Sequence, residues 1–174
     1  MLAGGTATQG GNLAKTKDLA QRKSADTPSE FKVEDHLFYL VGQIFAKREQ
    51  AMVKRLRPLK MTYNAMRALL VLLEWDGCTL GELTDITVIE RTTLSRTIES
   101  LKRRQIVRCV PRPSDRRHVE VYITDKGRRF INGILPMLIE QNREAVAGLD
   151  ADDVERLRAL LRVVVGNLNR LSAE

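Results

Sequence analysis

The chain has 174 residues, with 29 Lys+Arg against 22 Asp+Glu, a formal net charge of +7 and a pI near 9.7. That length suits one domain, or a small domain with an oligomerisation arm, and 43% hydrophobic residues can bury a core, which excludes a largely disordered chain. There is no apolar run of the roughly 18 residues a membrane span needs, no apolar leader segment, and no ligand-like spacing among Cys78, Cys109, His36 and His118, so the expectation is a cytoplasmic, reduced protein without membrane, metal or cofactor and with a polyanionic partner.

Residues 1–30 read as a flexible tail. Gly4, Gly5, Gly10 and Gly11 stand among Thr, Gln, Ser and Lys without apolar periodicity. A solvated leader is preferred there to a second DNA-contacting arm. From Val33 to Arg57 the pattern is helical, with Leu37, Val41, Ile44, Phe45 and Met52 on one stripe, and Pro58 ends it. Arg48 fills the gap in that stripe, and a charge on an apolar face needs a partner. A second helix, Thr62 to Trp75, carries Met66, Leu69, Leu70 and Leu73 and stops at Asp76-Gly77.

Thr79 and Glu82 have the spacing of a capping box, which predicts a short helix from Leu80 to Asp85 showing Leu80, Leu83 and Ile86 to the core. A longer helix follows, Arg91 to Arg104, with Leu94, Ile98 and Leu101 inward. Two helices this close, the first short, make a helix-turn-helix. The period then changes. Val107–Val110 and His118–Thr124 are β-rich, and Pro111–Arg117 between them is a basic, turn-forming loop. A β-hairpin directly after a helix-turn-helix is a wing.

Two helices close the chain. Asp125 to Ala147 carries Phe130, Ile134 and Leu138, with Pro136 expected to kink it. Ala151 to Leu171 has Asp150 as N-cap and apolar residues at Val154, Leu157, Leu161, Val164, Leu168 and Leu171. These alternate three- and four-residue steps form a coiled-coil seam, and a lone helix with such a seam needs a partner surface. The fold class expected is mainly α with a small β-hairpin wing (α+β), a winged helix-turn-helix plus a helical dimerisation domain.

Charge is concentrated between Glu90 and Arg117, where nine bases against three acids account for +6 of the chain's +7. Duplex phosphates attract such a patch, with binding that falls steeply with salt. With Leu94, Ile98 and Leu101 inward, Thr92, Arg96, Glu99 and Arg103 point outward, and the N-terminal residues of such a helix reach base edges. Thr92, Thr93, Ser95 and Arg96 are therefore assigned to the major groove. Arg96 is the candidate for a bidentate guanine contact, worth ~1–3 kcal/mol of discrimination. Glu99 could accept from a cytosine amino group, but orienting Arg96 or Arg103 at helical spacing is preferred. Arg91, Arg103 and Arg112 are assigned to phosphates, and so is Arg116 of the wing.

Residues Leu80 to Gly127 resemble the MarR (multiple-antibiotic-resistance-regulator) family of winged helix-turn-helix proteins. The likeness is carried by Thr79-Leu80-Gly81-Glu82-Leu83, by Arg91-Thr92-Thr93-Leu94-Ser95-Arg96, and most specifically by Asp115-Arg116-Arg117 followed by Val121-Tyr122-Ile123-Thr124-Asp125-Lys126-Gly127. Thr87-Val88-Ile89-Glu90 departs from the family's Gly-Leu-Ser/Asp junction. The resemblance implies a homodimer built by the first and last two helices, with Arg117 entering the minor groove and Asp115 orienting it. It implies domains at 1–30 (tail), 31–60 (dimerisation helix), 61–124 (winged helix-turn-helix) and 125–174 (dimerisation helices). It also implies a small effector, aromatic or anionic, bound between the dimer helices and the winged domain. Arg48, His36, Tyr39 and Trp75 are candidates to line that site, set against an interface ion pair for Arg48 and ordinary core for the others. Peroxide-sensing relatives carry a cysteine early in the first long helix, and Val33 to Arg57 has none. Cys109 reads as a packed side chain, and Cys78, taken to lie in a loop, as a redox candidate.

The function implied is a homodimeric, sequence-specific DNA-binding regulator, not an enzyme, acting as a repressor on a pseudo-palindromic operator. Two alternatives stay open: a nonspecific architectural DNA-binding protein, and a winged-helix module that binds an acidic protein.

Overall fold

The structure, a computed structural model, describes residues 32–112 and 115–171, and the side chains of residues 115–117 are outside that description. The expected tail, residues 1–30, and the wing-tip residues Pro113 and Ser114 also lie outside the described residues. The chain divides into two compact units, with the break between Ala51 and Met52.

In the first unit a 3-10 turn, Val33–Asp35, precedes helix α1, Leu37–Leu56, which runs on into the second unit. Of the expected stripe only Met52 is buried, joined by Leu56, while Leu37, Val41, Ile44 and Phe45 are between 37% and 67% exposed. The helix stops one residue before its expected end. Pro58 then sits in a 3-10 turn, Arg57–Leu59, which closes at Lys60 in the left-handed region, φ 51°.

The second unit holds the core. Thr62 accepts from the Ala65 amide and starts α2, Tyr63–Glu74. Tyr63, Met66, Leu69 and Leu72 are buried there, whereas the expected Leu70 and Leu73 are only partly so and pack against the core from its edge. Gly77 follows at φ 85°, with the Tyr122 ring where a Cβ would stand, so this turn requires glycine twice over. Next come β1, Cys78–Thr79, and α3, Leu80–Thr87, started by the expected capping box: Glu82 amide to Thr79 Oγ1 at 3.2 Å, Thr79 amide to Glu82 Oε2 at 2.7 Å. Leu83 is buried as expected. Ile86 is not: it is 46% exposed, because the inward position near the helix end is taken by Thr87, whose hydroxyl donates to the Leu83 carbonyl at 2.5 Å.

Helix α4, Arg91–Arg103, buries Leu94, Ile98 and Leu101 as expected. Strands β2, Val107–Arg112, and β3, Asp115–Ile123, form the wing. Both are longer than expected and claim most of the basic loop. Pro111 is accommodated because the antiparallel sheet order is β1-β3-β2, which leaves β2 at an edge, with a register shift between Pro111 and Arg112. Cys78, expected in a loop, is buried in β1 opposite Val121.

Thr124 then caps α5, Asp125–Ala145, accepting from the Gly127 amide at 3.0 Å. The Thr124 amide and hydroxyl both donate to the Ile106 carbonyl, each at 3.0 Å. A Cβ on Gly127 would collide with that same carbonyl, so the helix leaves the sheet at a spacing only glycine allows. Ile131, Ile134 and Leu138 of α5 are buried, Phe130 lies partly buried beside them, and Pro136 lies within the helix. Helix α6, Ala151–Leu171, begins with Asp150 accepting from the Asp153 amide at 2.7 Å, as the sequence predicts. It buries no residue in this single chain. Val154 and Val164 of its seam are its least exposed positions.

Candidate nucleic-acid interface

The approach to the recognition helix is built by the four residues that depart from the family pattern. Thr87 is held by Arg67, whose guanidinium donates to its carbonyl. Val88 takes φ 51° with its amide donating to the Thr84 carbonyl at 2.8 Å, and is 84% exposed. Ile89 is buried. Glu90 is the N-cap: its two carboxylate oxygens accept the Thr92 and Thr93 amides, each at 2.7 Å. Those amides, helped by the threonine hydroxyls, hold the Glu90 carboxyl down at about 2. The cap left unassigned by the sequence is thus an acid at the positive end of the helix.

From that cap onward the outward face is open. Arg91, Thr92, Thr93, Ser95, Arg96 and Arg103 are all exposed. The Arg91, Arg96 and Arg103 guanidinium groups make no hydrogen bond or ion pair with other described residues. Glu99, expected beside Arg96 or Arg103, faces Lys102 instead at 3.8 Å. One turn further along, Glu99 pairs within its own i,i+3 reach, and the two arginines are left to the solvent.

Arg104, Arg108 and Arg112 serve the scaffold. Arg104 donates to the Lys60 carbonyl at 2.7 Å and the Leu59 carbonyl at 3.4 Å, and lies 5.6 Å from the Phe130 ring centroid. Arg108 stacks 4.2 Å from the Tyr122 centroid. Arg112 donates to Glu120 Oε1 at 2.7 Å, and Glu120 Oε2 accepts from the Tyr122 hydroxyl at 2.8 Å. These hydrogen bonds lower the Glu120 carboxyl and raise the Tyr122 phenol. Arg112, expected on phosphate, therefore already spends its Nε on the wing's own acid. Sequence reading gave Glu120 no role and Tyr122 none beyond its place in the family-like Val121–Gly127 stretch. Their strict alternation on β3 with the buried Val121 and Ile123 was the available signal. Asp115, Arg116 and Arg117 belong to β3, and their side chains lie outside the described residues.

The effector candidates fall in different units: His36, Tyr39 and Arg48 in the first, Trp75 in the second. Arg48 is half-buried, His36 is exposed, Tyr39 is 41% exposed, and Trp75, the C-cap of α2, is 50% exposed. Both thiols are poorly placed for ionisation. Burial pushes Cys78 up, with Glu82 and Asp76 adding, and its Sγ donates to the Trp75 carbonyl at 3.1 Å. Burial also pushes Cys109 up. Among the described residues no cluster of metal-ligating side chains forms, and no helix is long and apolar enough to cross a membrane.

Comparison with known proteins agrees with this geometry. The family model described as MarR family matches residues 59–118. The HTH-type transcriptional repressor IacR of Pseudomonas putida is 27% identical over 142 residues, covering 82% of this chain and 85% of its own. A MarR-family transcriptional regulator from Silicibacter pomeroyi superimposes with a TM-score of 0.74 at 26% identity, covering 81% of this chain and 95% of that one. Bordetella bronchiseptica BpsR, whose DNA binding is regulated by 6-hydroxynicotinic acid, shares the fold at TM-score 0.68 and 23% identity, over 74% of this chain and 98% of its own.

Proposed function

We propose that this chain, whose residues 59–118 match the MarR family model, is a regulator of that family: a homodimeric, sequence-specific DNA-binding repressor of the cytoplasm. The observation that carries the DNA reading is the face of α4, where three arginines stand exposed beside Thr92, Thr93 and Ser95 with no intramolecular partner among the described residues. In this reading Arg96 reads a guanine edge, Arg91 and Arg103 grip phosphates, and Asp115, Arg116 and Arg117 work at the wing.

The dimer reading rests on apolar surface that one chain leaves bare. Leu157 and Leu161 of the α6 seam are 40–42% exposed, and Leu37, Phe38 and Leu40 of α1 are 46–50% exposed. A second copy covers such a seam by the same knobs-into-holes packing it offers. Two recognition helices related by a two-fold axis read half-sites about one helical turn apart. An effector, which we infer to be small and aromatic or anionic as in BpsR, favours a dimer whose helices are wrongly spaced, and it acts only through its differential affinity for the two arrangements.

The deciding experiment selects bound fragments from the source genome, then competes the selected site against random duplex while ultracentrifugation reads the oligomeric state. A dimer that prefers the selected site by about a thousandfold or more is expected. Equal affinity for both duplexes would leave a nonspecific architectural protein, and no duplex binding at low salt would leave a protein-interaction module.

A further inference from the structure

A groove of about 310 Å³ runs between the start of α2 and the outward face of α4. Lys60, Thr62 and Asn64 line one wall, Thr93 and Arg96 the other, and Arg104 stands at the end. Single waters need only ~10–15 Å³, so the space takes a polyatomic group. Its charge is one-sided: cations, hydroxyls and an amide stand beside Ala65 and Leu101, with no carboxylate in the lining.

The cations differ in their freedom. Arg104 gives two of its five N–H donors to the Leu59 and Lys60 carbonyls. Its effect is to tie the turn before α2 to the end of the recognition helix. The Lys60 amide donates to the Arg57 carbonyl at 3.0 Å, so the backbone that carries the Lys60 side chain is held from both directions. The Lys60 ammonium itself, like the Arg96 guanidinium, pairs with no other described residue. The Thr62 hydroxyl accepts from the Ala65 amide and keeps its own proton, and beside it the Asn64 amide is a second neutral donor on that wall.

We propose that this groove is a clamp for one backbone phosphate of the duplex, with Lys60 as its cation and Asn64 as its hydrogen-bond donor. The proposal rests on the DNA-binding reading above and extends it to residues outside the recognition helix. Because the turn is tied to α4, a phosphate seated there fixes how far along the groove Arg96 reaches. Lys60 therefore sets register and carries no base preference.

The test is titration of the full chain against its selected site and against random duplex at several salt concentrations. Removing one phosphate contact shallows the log–log salt slope by ~0.9, which amounts to about an eightfold loss at 0.1 M salt. Lys60→Gln is expected to lose that factor on both duplexes alike, and Lys60→Arg to restore it. Asn64→Asp, which places an acid in the groove at a helix start where acids are tolerated, is expected to lose more on both duplexes. An unchanged slope in Lys60→Gln with an unchanged thermal midpoint overturns the clamp, as does a loss confined to single base substitutions. Should Lys60→Gln fail to fold, Asn64→Asp decides on the same slope. Failure of the wild-type chain to bind any duplex would instead remove the reading on which the clamp depends.

Discussion

The recognition helix and the root of the wing carry the same kind of residue to opposite ends. On α4, Arg91, Arg96 and Arg103 are exposed and pair with no other described residue. Where α4 ends and the wing begins, Arg104, Arg108 and Arg112 are held by carbonyls, an aromatic ring and Glu120. The difference teaches that a positive charge count measures attraction to a polyanion, while partner geometry decides which charges are free to meet it. Of the seven described bases in the cluster, the three unpaired ones stand on α4, Lys102 pairs with Glu99 there, and Arg104, Arg108 and Arg112 build the support.

The largest effect is expected beneath the arginines of α4. Leu94 is fully buried behind the arginine face. Leu94→Ala is expected to cost ~2–5 kcal/mol, read by urea denaturation, and to abolish binding only as the fold is lost. A sharper cut sets two arginines against each other. Arg96→Ala should leave the thermal midpoint unchanged and lose ~1–3 kcal/mol of discrimination at one base pair. Arg104→Ala should reverse that order, losing ~1–2 kcal/mol of stability with its two carbonyl bonds while base preference persists. Equal stability losses in the two variants would erase the distinction between free and committed arginines.

Val88 predicts an effect of opposite sign. A β-branched residue at φ 51° is strained, and its side chain is largely in water. Val88→Gly should stabilise by ~1 kcal/mol, after the greater chain entropy of glycine is set against the relief. The smallest effect is expected at the cap. Glu90 titrates lower in the folded chain than when unfolded, so its contribution is present above pH 4.5 and is lost as pH falls toward about 2. The melting temperatures of the wild type and Glu90→Gln should therefore differ at neutral pH and converge across that window.

Much of this organisation is legible in the sequence because it is local. The Thr79–Glu82 box, the Asp150 cap and the inward triad of α4 each depend on residues within a turn or two of one another. What escapes a linear reading is settled across the chain. The two-residue β1 exists only because Val121 and Glu120 lie opposite it, forty residues on. Asp76 reads as part of a stop signal, yet its carboxylate accepts the Ile123 amide at 2.8 Å and pairs with Arg128. Ile86 has the right spacing for the core and loses its place to Thr87, since the turn bends the chain before the next helical position is reached. At the interface the outward set Thr92, Thr93, Ser95 and Arg96 follows from periodicity alone, whereas the capture of Arg112 by Glu120 requires the sheet register.

Gly127 carries a final implication for motion. With Ile106 bonded twice to Thr124 and no room for a methyl group beside it, α5 springs from the sheet like a cantilever from a wall, with no slack at its root. A tilt imposed at the far end of that long rod must be answered by the wing as a whole. Even alanine at this joint would alter the angle of departure, without touching any side chain on the outward face of α4.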